Sequence, residues 1–452
     1  MLVGYFIPVY CKVTDKYRRK TDTSINNKGD RKNIQGFATG LVYGDKITLE
    51  YYLPKDIQEQ GIISIARVVH GYRYIKMFNN SISNDKNGNS FQGFDDAPSC
   101  MINVNCSPEG DNWQKEKNAV ALAIVDNGTR MCTGSLLNNT AEDFTPYFIT
   151  TAGCLFNNSL IQIYDPISNP HINNIIFYWH YESPGCNSST APVPKSTVGA
   201  VVKAGYTNHS SNSSICFTLL CLKEDPLTVS GITPYYLGWD RTNNIGNSAV
   251  GIFHPWGDIK KIAILTNITT AYYTSGLECW QAYWTESQNG RSFISAYVGN
   301  NWGNGSETGS PFLNTNYKRF VGQYNGSSAY TPSGYDLCTA PFNAASFFAN
   351  YDKLSSMWEN NTTDSRSRLK DWLDPLGTNQ SGIDGLELNC SDILVSGTRP
   401  TPPQTFERVV CKRIKVQNAT VPSGRTLELK ATEKVTIDST FKVESGATFI
   451  IW

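Results

Sequence analysis

The chain has 452 residues, with 39 Lys plus Arg against 39 Asp plus Glu, and this balance gives no support for binding nucleic acid or an acidic membrane surface. Hydrophobic residues at 40% exclude a disordered chain, and charged residues at only 17%, with Asn, Ser, Thr and Gly filling the polar quota, favour a turn-rich all-β protein over a helical one. The length exceeds one ordinary core and implies two or three domains, and no apolar run of about eighteen residues is present to span a membrane.

Residues 1–95 read as a β-rich N-terminal domain. "DKITLEYYL" (Asp45 to Leu53) alternates at Ile47, Leu49 and Tyr51, and "GIISIARVVHGYRYI" (Gly61 to Ile75) is β-branched and aromatic. The opening "MLVGYFIPVYCK" lacks the basic start and small-residue cleavage site of a signal peptide. Asn79 to Ser99 is polar and Gly/Asn-rich, a linker by composition.

Residues 96–388 form the largest section. Its strand candidates are short and closely spaced: "AVALAIV", "PYFITT", "NIIFYWHY", "STVGAVVKAGY", "CFTLLCL", "AVGIFH" and "KRFVGQY". Turn signals separate them, the pattern of a sandwich or barrel. One helix is expected at "DSRSRLKDWL" (Asp364 to Leu373), capped by Asp364 or Ser365 and stopped by Pro375.

Residues 389–452 read as a linker plus a small repeated module. "VSGTRPTPPQT" (Val395 to Thr405) is Pro-rich. Beyond it, "ATVPSGRTLELKA" and "FKVESGATFIIW" each place Ser-Gly before an alternating strand, with "EKVTIDS" between them. This echo predicts a stack of about three β-rungs that bury their faces on one another.

The twelve cysteines are scattered without a C-x-x-C pair, so no zinc or thioredoxin-like site is expected, and no cofactor. Disulfides in an exported protein, secreted or held at a cell surface, are the better reading.

The middle section resembles the lysyl endopeptidases, bacterial trypsin-like serine proteases. "SCMINVNCSPEGDNW" resembles the family's mature start, and "CTGSLLNNTAEDFTPYFITTAGC" its first barrel hairpin. "FTLLCL", "GWDR", "GIFHPWGDIKKI", "TGSPFLN" with "VGQYNG", and "DWLDP" with "GIDGLEL" follow in family order. The resemblance implies two six-stranded antiparallel barrels with an active cleft between them. It also implies the disulfides Cys100–Cys338, Cys106–Cys186 and Cys132–Cys154. Cys11, Cys216, Cys221, Cys279, Cys390 and Cys411 stay unassigned, although Cys390 and Cys411 flank the Pro-rich stretch and could bridge it.

Peptide hydrolysis on this fold needs a serine nucleophile, a histidine base and a carboxylate that orients the histidine. The resemblance places these roles at Thr308, Gly153 and Cys216. Glycine has no proton acceptor, and a thiol cannot replace a buried carboxylate. Ser306 stands where the family has an oxyanion glycine, so the oxyanion positions, Ser306 and Thr308, are altered too. At the specificity pocket the nearest alignment puts Phe347 at the acid position, with Asp352 close by, and Asn325 at the pocket-side histidine. The five histidines are His70, His171, His180, His209 and His254, and none stands at the catalytic position. Losing a whole triad costs about 10⁶ in turnover. The expectation is a catalytically inactive homologue, with a peptide or protein ligand in the degenerate cleft. Two alternatives are a hydrolase that uses Thr308 or Cys216, and a surface-adhesive module whose C-terminal repeats supply the function.

Overall fold

The computed structural model describes residues 101–125, 130–155, 170–187, 193–207, 215–272, 278–283, 308–327, 348–360 and 362–451, short strands at 4–6, 8–12, 37–38, 42–43, 62–65, 69–71, 297–298 and 330–331, and residues 94, 97 and 99. The expected strand at Asp45 to Leu53 lies outside the described residues, as do Cys100, Ser306, Cys338 and Phe347. In the N-terminal part, Gly4–Phe6 pairs antiparallel with Val42–Tyr43 and Val69–Gly71, and Pro8–Lys12 pairs with Phe37–Ala38 and Ile62–Ile65.

One antiparallel sheet runs in the order Lys195–Val198, Ile176–Trp179, Val120–Val125, Arg130–Leu137, Tyr147–Thr150, Cys216–Leu222, Ala200–Thr207. Its two edge members are consecutive in the chain, joined only at Gly199, which has φ +80°. Gly199 donates to the Ile175 carbonyl at 2.8 Å and accepts from Lys223 N at 2.9 Å, so this one kinked stretch closes the sheet into a six-stranded barrel. Only glycine suits the kink, because a Cβ there would sit 2.9 Å from the Asn173 carbonyl oxygen. The interior is apolar. Phe148 packs edge-on against Phe177 at 4.9 Å and Trp179 at 6.1 Å.

A second ring joins Pro311–Asn314, Ser248–Phe253, Lys261–Tyr272, Glu278–Tyr283, Phe348–Lys353 and Phe320–Ser327, and the pairing of Pro311–Asn314 with Phe320–Ser327 closes it. Its core stacks Phe312 on Tyr351 at 3.9 Å, with Tyr324 edge-on at 5.5 Å. The two antiparallel barrels are those of the trypsin-like fold. Leu237 stitches them, donating to the Leu136 carbonyl and accepting from Asn138 N.

Disulfides join Cys106 to Cys186, Cys132 to Cys154 and Cys390 to Cys411. The expected single helix at Asp364 to Leu373 is instead two short pieces, a 3-10 turn at Ser365–Ser367 and an α-helix at Lys370–Leu373. Asp364 caps the first through its bond to Arg366 N at 3.0 Å, but Arg368 is extended and breaks the run.

The C-terminal part is a parallel stack. Asp392–Thr398 pairs with Phe406–Val421, which pairs with Thr426–Ile437, which pairs with Thr448–Ile451. The Ser-Gly turns also stack, Gly424 N donating to the Gly446 carbonyl at 3.1 Å. The stretch expected as a Pro-rich linker is therefore a strand in its first part. Val395 is fully buried there because it fills the column above Val416. The stack also packs on the first barrel: Arg408 pairs with Asp143 at 2.9 Å and donates to Thr145 Oγ1 at 3.2 Å, and Lys430 pairs with Asp225 and donates to the Phe144 carbonyl at 3.1 Å.

Candidate functional site

Gly153, Cys216 and Thr308 come from separate segments, and a continuous series of contacts draws those segments together. Gly153 lies in the one-turn helix Ala152–Leu155, directly after the strand Tyr147–Thr150. Thr150 pairs with Thr218, two residues beyond Cys216. Cys154, next to Gly153, is tied to Cys132, and its Sγ lies 3.6 Å from the Thr308 carbonyl oxygen. That carbonyl also accepts from Thr133 N at 3.2 Å. Beyond it, Gly309 N donates to the Tyr324 carbonyl at 2.9 Å and Tyr324 N to the Ser310 carbonyl at 2.8 Å. Next to Tyr324, Gln323 donates through Nε2 to the Cys216 carbonyl at 2.9 Å and closes the circuit.

The turn that presents Thr308 depends on Gly309. Its φ is +89°, and a Cβ would meet Thr150 Oγ1 at 2.3 Å and the Thr133 carbonyl oxygen at 2.4 Å. The backbone must pass this close to the first barrel, so the "TGSP" segment keeps its glycine whatever residue precedes it.

Of the three positions, Gly153 has no side chain to carry a proton. Gly153 is exposed, and a Cβ built on it has Thr151 Oγ1 at 3.8 Å as its nearest described contact beyond its chain neighbours. Thr308 and Cys216 are half-buried. A thiol is activated by a neighbouring cation or helix start. What adjoins the Cys216 backbone is the carboxylate of Asp352, whose Oδ2 accepts from Cys216 N at 3.1 Å.

In the sequence Asp352 stands only as a neighbour of the pocket position. It is fully buried, and Asn325 Nδ2 donates to its Oδ1 at 3.0 Å. Strand pairing explains the placement. Asp352 lies opposite Cys279 on one side and Gln323 on the other, so the three share one sheet face. Asp352 and Gln323 together bracket the backbone of Cys216, binding its N–H and its carbonyl. Gln323 was missed as a site residue, and only its place in "VGQYNG" marked the segment.

Two histidines have described side chains. His254 is fully buried and donates through Nδ1 to the Asp258 carbonyl at 2.9 Å; burial, then the Lys260 ammonium, lower its pKa to about 3. His180 accepts from Thr233 N at 3.1 Å through Nε2, and burial, then Lys260, lower it to about 4. Both rings are neutral near pH 7 and weakly basic. Among the described residues no group of three or more His, Cys, Asp or Glu is placed to hold a metal ion, and no helix is long and apolar enough to cross a membrane.

Comparison with known proteins gives the context. The family model described as lysyl endopeptidase, C-terminal domain, matches residues 94–337. A lysyl endopeptidase of Pseudomonas aeruginosa is 24% identical over 238 residues, 49% of this chain and 44% of the relative, so the chain spans under half the length of that curated relative. Among solved structures, the scabies mite inactivated protease paralogue S-I1 is 15% identical with a TM-score of 0.31, covering 54% of this chain and 92% of its own. The inactive form of the Rv3671c protease is 11% identical with a TM-score of 0.29, covering 53% of this chain and 86% of its own.

Proposed function

Because the chain belongs to the lysyl endopeptidase C-terminal domain family, we propose that it is a catalytically inactive homologue of a secreted trypsin-like endopeptidase, whose cleft holds a peptide or protein segment without cutting it. The observation that carries this reading is Gly153. Space for a side chain remains at that exposed position, and glycine offers no atom that can accept a proton. Gly153 supplies no base to the Thr308 hydroxyl, and a hydroxyl needs a base to become a nucleophile near neutral pH. Cys216 in place of the triad carboxylate, and Ser306 in place of the oxyanion glycine, remove two further parts of the same machine. The three disulfides among the described residues support an extracellular setting, secreted or at a cell surface.

Reversion tests the assignment. Triad members act as a unit and their effects are far from additive, so single changes should stay silent. The informative variant combines Gly153→His, Thr308→Ser and Ser306→Gly with Cys216→Asp. Asp352→Asn is added, because two carboxylates facing each other at residue 216 would repel. Measurable turnover of a lysyl ester by this variant, absent from each single change, is the expected outcome. A folded combined variant with no gain would count against these positions as the triad equivalents.

A further inference from the structure

A two-residue strand straps the barrels together. Ile102–Asn103 pairs with Ile262 and Lys261 on the second barrel, and Val104 N continues the ladder to the Lys260 carbonyl at 3.1 Å. Cys106 then pins the strap to Cys186, in the loop after the first-barrel strand Ile176–Trp179. Register sets Asn103 directly opposite Lys261, so their side chains share one sheet face. Lys261 Nζ donates to Asn103 Oδ1 at 2.7 Å. The amide is held in this orientation, because Asn103 Nδ2 donates to the Cys186 carbonyl at 2.5 Å. A carboxylate completes the group: Asp258 Oδ2 lies 3.5 Å from Lys261 Nζ. That carboxylate is itself fixed, with Oδ1 accepting from Ile259 N at 2.7 Å and Oδ2 from Ala97 N at 3.3 Å. Asp258 and Lys261 are buried, as are the neighbouring Ile259 and Ile262, and Asn103 is half-buried.

We propose that Lys261 and Asn103 become joined by an intramolecular isopeptide bond, with Asp258 as the proton carrier. A hydrogen bond of this length to Oδ1 sets Nζ about 3.5 Å from Cγ, at the outer edge of the near-attack range. The Lys261 ammonium passes one proton to the Asp258 carboxylate, the resulting amine attacks Asn103 Cγ, and a C–N bond forms. The attacking nitrogen sheds a second proton, the Cγ–Nδ2 bond breaks, and Nδ2 leaves as ammonium with both protons that Lys261 gave up. No oxidant, nucleotide or metal is consumed. Burial aids the first step, because an ammonium and a carboxylate removed from water lose the hydration that keeps them charged. The adjacent strap residue supplies a contrast. Lys117 Nζ lies 2.6 Å from Asn105 Oδ1 and 2.7 Å from Glu182. Burial pushes Glu182 up, but Lys260 and Lys117 hold it at about 2, so it is a weak proton acceptor and Asn105 stays unlinked. The bond at Asn103 ties the strap to the second barrel as Cys106–Cys186 ties it to the first, and reduction does not release it.

Mass spectrometry of the full chain, folded, then reduced and digested, tests this. The expected result is a branched peptide that joins the segments containing Asn103 and Lys261 and is lighter than the two together by one ammonia, about 17 Da. Lys261→Arg should abolish the branch. Asp258→Asn should lower its yield at least about tenfold, read on protein whose circular dichroism matches the parent. Recovery of Asn103 and Lys261 from the unmodified chain only in unlinked peptides would overturn the proposal, and that result does not depend on any variant folding. An undiminished branch in folded Asp258→Asn would overturn the part given to Asp258, and a branch at Asn105 in place of Asn103 would overturn the assignment of the pair.

Discussion

His254 shows what a single buried residue costs at low pH. In the folded chain burial, and then Lys260, hold its imidazole at about 3, against an ordinary value of 6.5. Below 6.5 the unfolded chain therefore takes up a proton that the folded chain refuses. Its contribution to stability is complete above pH 6.5 and falls as pH drops toward 3, by about 1.4 kcal/mol per pH unit. The surrounding groups reinforce the direction. His180, at about 4, loses stability over the same range. Burial pushes Glu182 up, but Lys260 and Lys117, at 3.0 and 2.7 Å, hold it at about 2, so its contribution is lost below 4.5. Urea unfolding at pH 7, 6, 5 and 4 should show stability falling steadily with acid. His254→Asn, which can still donate to the Asp258 carbonyl, should flatten that slope; an unchanged slope would mean that His254 is not its source. In sequence, His254 was recognisable as a histidine with no proton-transfer role, because the motif around it resembles a family segment. Asp352 was not legible in the same way. A lone acid in "FFANYDKL" must find a partner if buried, but one partner is the backbone of Cys216, 136 positions earlier on the other barrel, and only the packing of the two barrels brings them together.

At the scale of elements, the strands that sequence revealed best were those with one apolar face or a continuous apolar run, such as Val120–Val125 and Cys216–Leu222. Pro311–Asn314, Glu278–Tyr283 and Phe348–Lys353 carried weaker signals. They are short or mix polar residues such as Gln281 and Asp352 into a barrel wall, and Asp352 finds its partners in Cys216 N and Asn325. The C-terminal repeat was legible because its Ser-Gly turns recur and stack. The Pro-rich stretch, Val395 to Thr405, differs from the expectation for a physical reason: its first four residues end the strand Asp392–Thr398, which gains ladder bonds and a buried Val395 that composition alone does not reveal. Limited proteolysis should therefore spare 392–398 and cut within 401–405, where every residue is exposed. Cys390 and Cys411 flank that cut, so the nicked protein should migrate as one species until it is reduced, and then as two. Cleavage within 392–398, or separation without reductant, would contradict this strand and disulfide arrangement.

Across the whole molecule, the trypsin-like frame is present, and the proposed loss of chemistry is confined to a few positions within it. Both barrels close, Cys132–Cys154 and Cys106–Cys186 are formed, and Gly309 keeps the tight approach that presents residue 308. Gly153, Cys216 and Thr308 occupy segments held together by short bonds, with a buried Asp352 and Gln323 bracing the backbone between them. On the proposed function, such a cleft holds an extended segment without cutting it. The most direct test is to incubate the unmodified, disulfide-intact protein with a lysyl ester and with a serine-directed phosphonate, beside Thr308→Ala and Cys216→Ala controls. The expected result is no turnover above the controls and no phosphonate label; turnover or labelling by the unmodified chain that either alanine change abolishes would contradict the loss of catalysis.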